Sequence, residues 1–212
     1  MRSSAVVSGL LSLLLLVLVA MEWGPLLSVD RDVSDALHRD AVAEPGFTQL
    51  NRILSDWIWD PWTMRALIVV ILVALWLRHE RRLALWVAGA SLLTTGLQQA
   101  LKALVGRARP SWPDPVDTAQ YDAFPSGHAM TATVTFGLLL WVVALHWQER
   151  WRGWSVLVVA ALVSVLGVGW TRVYLGVHWA SDVVGGWLLG ICLVCVTVLT
   201  FRAYQPKSNG GE

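Results

Sequence analysis

The chain has 212 residues and a formal net charge of +1, with 56% hydrophobic and 15% charged residues. That charged share lies well below the roughly 25% of soluble domains, and with a mean hydropathy of +0.56 it excludes an ordinary soluble domain and points to a polytopic membrane protein. A charge so close to neutral, with no stripe of Lys and Arg, excludes a nucleic-acid partner.

A helical crossing needs about 20 predominantly apolar residues. Runs at 5–21, 62–77, 83–104, 128–147, 154–170 and 183–201 come close enough to predict six transmembrane helices. The first run follows Arg2 and could be a signal segment, but no A-x-A pattern precedes Trp23, so an uncleaved first span is expected. The only long polar connection is 24–61, split by Pro45-Gly46. Before the split Val29, Val33 and Leu37 recur every fourth residue. After it Phe47, Leu50, Leu54, Trp57 and Ile58 share one helical face. Both halves read as amphipathic helices at the membrane surface, serving either as a simple cover or as a lid or ramp for an amphipathic substrate.

Many of the 14 tryptophans, Trp23, Trp62, Trp154 and Trp170 among them, fall near the ends of apolar runs, as an interfacial aromatic belt requires. Cys192 and Cys195, three apart in the last run, read as small packing residues rather than a disulfide or a metal pair. The expected organisation is a single six-span domain over 1–204, with 24–61 as an extracytoplasmic amphipathic loop and 205–212 as a disordered polar tail. Two short connections carry basic clusters, Arg78, Arg81 and Arg82 in one and Arg150 and Arg152 in the other. Short loops are where excess positive charge marks the cytoplasmic side. Both are therefore expected inside, as is the N-terminus. The sequence carries no signal for oligomeric state.

Three clusters then converge on the outer face. They are Lys102 through Arg109-Pro110, Pro125-Ser126-Gly127-His128, and Thr171-Arg172 followed by His178 and Asp182. Lys102, Arg109 and Arg172 are three cations without a matched local carboxylate. Arg supplies a planar fork suited to phosphate oxygens, and Lys a point charge. Ser126 and Gly127 open an apolar helix, where a hydroxyl and unpaired backbone N–H groups can face an anion. A phosphate group fits such a cradle. His178 and Asp182, four apart, share a helical face, so the carboxylate can hold one imidazole nitrogen and leave the other free as a nucleophile. His128 can protonate a leaving oxygen and later activate water. Taken singly each feature has a plainer reading: Ser126 as a helix cap, Lys102 and Arg109 as snorkelling cations, His178–Asp182 as an interfacial polar pair. Together on one face, with a carboxylate at the mouth of a span, the plain readings weaken. Arg107 has no spacing that compels a role, His38, His79 and His146 have no evident partner, and Thr94, Thr95, Gln98 and Gln99 are expected to face the bundle interior.

Lys102-x6-Arg109-Pro110, Pro125-Ser126-Gly127-His128 and Arg172-x5-His178-x3-Asp182 resemble the three signature motifs of the type 2 phosphatidic acid phosphatase superfamily. Bacterial acid phosphatases and vanadium haloperoxidases are related to it. The resemblance implies an all-α, six-helix membrane enzyme with its active site at the extracytoplasmic face and no metal or other cofactor. It further implies His178 as nucleophile, Asp182 as its orienting group and His128 as acid and base. Lys102, Arg109, Ser126, Gly127 and Arg172 would hold the phosphate. Thr171 stands where the family usually has Ser, keeping a hydroxyl for phosphate contact. The implied activity is hydrolysis of a lipid phosphomonoester or diphosphate, such as polyprenyl diphosphate, phosphatidylglycerol phosphate or phosphatidic acid. The alternatives are a lipid phosphotransferase using the same site and a non-catalytic lipid-binding or transport protein.

Overall fold

The computed structural model describes residues 1–147 and 153–204. The basic pair Arg150 and Arg152 and the 205–212 tail lie outside the described residues. Eight α-helices and one π turn make up the regular structure of the described residues, with no strand. They are α1 (Arg2–Ala20), α2 (Gly24–Ala43), α3 (Pro45–Ile53), the π turn Leu54–Ile58, α4 (Pro61–Leu77), α5 (Arg81–Val105), α6 (Gly127–Trp147), α7 (Trp154–Tyr174) and α8 (Ala180–Ala203). Helices α1 and α4 to α8 coincide with the six apolar runs to within a few residues, whereas α2, equally long, falls in the polar connection.

Local chemistry sets several boundaries. Pro45 and Pro61 stand in the first turns of α3 and α4, where a missing N–H costs nothing. The Asp60 carboxylate accepts the Trp62 N–H at 2.7 Å and caps α4. The 24–61 connection is almost wholly helical, with Asp30, Ser34, His38, Thr48, Asn51 and Ser55 buried. Its inward faces are therefore polar.

Five stretches are long and apolar enough to cross a membrane: Arg2–Ala20, Pro45–Leu77, Gly127–His146, Trp154–Tyr174 and Ala180–Ala203. Helix α5 has the length, 25 residues, but not the composition, so the structure does not itself establish six spans. Gln98, Gln99 and Lys102 dilute its apolar character. Thr94, Gln98 and Lys102 are buried against the other helices, whereas Gln99, expected inside, is exposed. Around the bundle, Leu10, Val70, Leu92, Val156 and Leu162 present an apolar exterior, which suits lipid rather than water.

Helix α8 packs along both α1 and α6. The α6 contact is close because α8 carries Gly186 and Gly190 one turn apart, the small-residue spacing that lets helix backbones approach. A Cβ at 186 would lie 2.8 Å from the Ser126 carbonyl oxygen, and one at 190 would lie 2.7 Å from the Thr133 Cβ. The remaining core is built from α4, α5, α6 and α8, with Ile71, Leu75, Val87, Leu138 and Val198 at its centre. At one end of the bundle Arg82 donates to the Tyr204 carbonyl, and Glu80 meets the His146 imidazole at 2.8 Å. The basic α4–α5 turn thus lies at the end opposite the N-termini of α6 and α8.

Replacing Gly186 by Val should destabilise the bundle by about 1–3 kcal/mol, since the obstacle is a backbone carbonyl that cannot rotate away. Gly89 has nothing within 4 Å of its would-be Cβ, so Gly89→Ala should leave the unfolding midpoint unchanged or raise it. Thermal unfolding in detergent compares the two.

Candidate active site

Three chain segments meet at the α6–α8 end. The α7 C-terminus is wound tightly: the amides of Val177 and His178 both donate to the Arg172 carbonyl, at 3.2 and 3.1 Å. Gly176 makes this turn with φ +68, a left-handed conformation that other residues rarely adopt. The five-residue gap between Arg172 and His178 is thereby folded back, and His178 sits on top of the helix end. The α6 start is tied to α8 by the Ser126 amide, which donates to the Asp182 carbonyl at 2.9 Å. The Ala129 amide lies 3.5 Å from the Ser126 hydroxyl, a long N-cap contact. Gly127 leaves room for the Gln98 amide, which would be 2.4 Å from an added Cβ.

His178 is 2% exposed and has a different neighbour on each ring nitrogen. Nδ1 faces Asp182 Oδ2 at 3.3 Å, and Nε2 faces Arg109 Nη1 at 3.1 Å. A guanidinium has only donors, so Nε2 must be the bare nitrogen and Nδ1 the one carrying hydrogen. Burial, followed by the charges of Arg109, Arg172 and Lys102, pushes the His178 pKa well below the usual imidazole range. That shift favours the neutral imidazole, whose bare Nε2 is directed at the Arg109 guanidinium.

Asp182 is fully buried at the start of α8. Oδ2 accepts the Trp179 N–H at 2.9 Å, and Oδ1 accepts Arg107 Nη1 at 2.6 Å. Arg107 also donates to the Ser181 hydroxyl at 2.7 Å and, through Nη2, to Asp30 Oδ2 at 2.7 Å. Asp30, brought by α2, accepts in addition the amide and hydroxyl of Ser181, at 2.9 and 2.5 Å. Arg107 and Asp30 escaped the sequence reading because 77 positions separate them and no local spacing links them. The lone sequence signal is the place of Arg107 between Lys102 and Arg109.

The cations are arranged around the imidazole. Arg109 is anchored by its donors to the Tyr121 carbonyl at 2.7 Å, the Val177 carbonyl at 2.5 Å and the Gln120 carbonyl at 2.9 Å. Burial draws its pKa below the usual guanidinium range. Lys102 donates to the Asp122 carbonyl. Arg172 Nη1 donates to the Ser55 hydroxyl of the π turn at 2.5 Å, with Asp56 at 4.0 Å, and its Nε is buried without a partner among the described residues. Arg172 thus does have a nearby carboxylate. His128 lies on the first turn of α6 within electrostatic reach of Arg172, His178, Arg109 and Lys102, and among the described residues nothing hydrogen-bonds its ring.

The Thr171 hydroxyl donates to the Val168 carbonyl of its own helix at 2.9 Å. Two histidines without an evident partner have one: His38 stacks on Trp112 at 4.1 Å and meets Asp114 at 3.1 Å, and His146 pairs with Glu80. Among the described residues no cluster of three or more His, Cys, Asp or Glu is set to hold a metal. A pocket of about 230 Å³ lies beside Arg109, lined also by Pro110, Trp112, Asp117 and Gly176. The chemistry this arrangement offers is a neutral, oriented nitrogen nucleophile inside a cluster of cations, with a second imidazole nearby.

Comparison with known proteins agrees with this architecture. The chain is 36% identical over 98 residues to phosphatidylglycerophosphatase B of Bacillus subtilis, a stretch covering 46% of this chain and 47% of that protein. The chain thus matches about half the length of that relative. It is 25% identical over 170 residues to the undecaprenyl-diphosphatase of Sulfolobus acidocaldarius, covering 76% of this chain and 69% of that one. In three dimensions it matches the crystal structure of a transmembrane PAP2-type phosphatidylglycerolphosphate phosphatase from Bacillus subtilis, with a TM-score of 0.84, 24% identity, and coverage of 96% and 98%. The model of the PAP2 superfamily matches residues 83–206, a stretch that contains all three motifs, and the chain belongs to that superfamily.

Proposed function

We propose that this protein is a multi-pass membrane phosphatase that hydrolyses a lipid phosphomonoester or diphosphate through a phosphohistidine on His178. The observation that carries this reading is the division of the His178 ring: Nδ1 on Asp182, and bare Nε2 beside Arg109. Nε2 would attack phosphorus in line, forming a P–N bond as the P–O bond to the leaving lipid breaks. His128 would give its proton to the departing oxygen. It would then take a proton from water, whose oxygen attacks phosphorus and releases phosphate from His178. Lys102, Arg109 and Arg172 would neutralise the charge on the equatorial oxygens, assisted by the unpaired backbone N–H groups at the start of α6. The buried, unpartnered Nε of Arg172 supports that assignment. A phosphate at Nε2 would take over the Arg109 Nη1 donor.

The curated relatives act on phosphatidylglycerophosphate and undecaprenyl diphosphate by name, which directs the substrate search to lipids with a terminal phosphate. With α5 as a sixth span, the start of α1 and the end of α8 would share one side. The basic turn at Arg78, Arg81 and Arg82 supports a cytoplasmic position for that side and an extracytoplasmic one for the site.

Purified protein in detergent with EDTA should release phosphate from polyprenyl diphosphate, phosphatidylglycerol phosphate or phosphatidic acid. His178→Ala, with an unchanged size-exclusion profile, should release none. Asp182→Asn should keep the fold but lose about 10³–10⁴-fold in kcat, because the wrong tautomer of His178 is then favoured. Wild-type protein inert on all three lipids would overturn the reading.

Because only neutral His178 attacks and its pKa is depressed, kcat/KM should hold as pH falls through the usual imidazole range and drop only below it. Arg109→Gln removes a positive charge beside Nε2, so its acid limb should move to higher pH than that of wild type on the same substrate.

For sidedness, a cysteine at position 118 should react with a membrane-impermeant maleimide in intact cells, and one at position 78 only after lysis. The reverse pattern would put the site inside.

A further inference from the structure

Asp182 has more partners than a His–Asp pair requires. One oxygen serves His178 and the Trp179 amide, and the other is held by Arg107, whose second nitrogen reaches Asp30 on α2. The side chains of Asp30, Arg107 and Asp182 are 1%, 9% and 0% exposed.

We propose that Arg107 and Asp30 are positioning residues that extend the His178–Asp182 pair into a buried four-member relay, His178–Asp182–Arg107–Asp30, with Asp30 supplied by the helix that precedes the family-matched part of the chain. This rests on the reading of His178 as nucleophile. The geometry argues for more than a tie between helices. Arg107 fills Asp182 Oδ1, so the carboxylate cannot rotate and Oδ2 stays on Nδ1. The same guanidinium is itself fixed by Asp30, which Ser181 locks through two donors, one from its amide and one from its hydroxyl. A planar fork can divide its nitrogens between two carboxylates in this way, and an ammonium cannot. The charges facing the imidazole are Lys102 from α5, Arg109 from the following loop, His128 from α6, Arg172 from α7 and Asp182 from α8. Arg107 and Asp30 lie immediately behind Asp182. Without Arg107 two carboxylates would stand behind Nδ1 with no cation between them. Without Asp30, Arg107 would face Asp182 alone.

The relay also assigns a task to 24–61. The segment that reads from sequence as a cover or a ramp contributes a buried carboxylate to the groups behind Asp182. Residue 30 lies outside the 83–206 match.

The test uses full-length protein in detergent with ¹⁵N-labelled histidine, His178 being assigned by the signals lost in His178→Gln. Wild type at pH 7 should show Nδ1 protonated and Nε2 bare. In Arg107→Gln the imidazole titration midpoint should rise by about one unit or more, since a cation has been removed behind Asp182. In Asp30→Asn it should not rise. In Arg107→Lys the charge remains but the fork is lost, so the midpoint should stay and the two tautomers should mix. Asp30→Asn and Arg107→Lys should each lower kcat about tenfold with KM unchanged, because neither residue touches substrate.

A merely structural tie would lower the unfolding midpoint of all three variants yet leave the His178 tautomer and titration as in wild type, and that result overturns the proposal. Should Arg107→Gln fail to fold, the tautomer mixture in Arg107→Lys decides. The histidine signals need no turnover. Wild type without hydrolysis but with these shifts would sink the nucleophile reading alone, and hydrolysis without the shifts would sink the relay alone.

Discussion

The site depends on how closely α6 and α8 approach at their N-termini. The Ser126 amide donates to the Asp182 carbonyl at 2.9 Å, and Gly186, one turn further along α8, leaves no side chain between the two backbones. That contact holds the helix carrying His128 against the helix carrying Asp182. A bulkier residue at 186 would separate the two imidazoles. Small residues matter here because apolar side chains gain little by leaving lipid for one another, so close backbone packing supplies much of the adhesion.

On this frame lies a concentration of charge that a membrane helix bundle tolerates only with partners. Arg107 joins two buried carboxylates, Asp30 and Asp182, with Lys102 and Arg109 close by, while Arg172 has Asp56 at 4.0 Å. The distribution is uneven. Arg107 is saturated by carboxylates, whereas Lys102 and Arg109 are held chiefly by carbonyl oxygens, which orient a cation without neutralising it. A phosphate would supply the negative charge that those two cations lack. Removing one partner from a buried ionic set typically costs about 3–5 kcal/mol, so the same groups that would bind substrate also make the empty cradle sensitive to substitution.

The polar segment between α1 and α4 is attached to the site end at several points. Asp30 reaches Arg107, Ser55 reaches Arg172, and His38 holds the 110–119 loop through Trp112 and Asp114. Its buried faces are polar because they meet the charged end of the bundle rather than lipid. The motif-bearing helices alone would leave the guanidinium of Arg107 facing one carboxylate and that of Arg172 without its hydroxyl partner.

Much of the architecture is legible in the residues because it is local. Apolar runs mark helices α1 and α4 to α8 to within a few residues, since length and hydropathy are properties of contiguous sequence. The four-residue spacing of His178 and Asp182 predicts their contact but not its geometry: His178 stands in the turn between α7 and α8, so the contact forms across the α8 N-terminus rather than along one helical face. The composition of α5 also speaks locally, though ambiguously: its Gln98 and Lys102 read as polar defects until the bundle shows them buried, while Gln99 turns outward. The contact of Arg107 with Asp30 and the Ser55 contact of Arg172 were decided only by tertiary structure. Each depends on which side chain arrives from a distant helix and at what angle, and no sequence spacing encodes that.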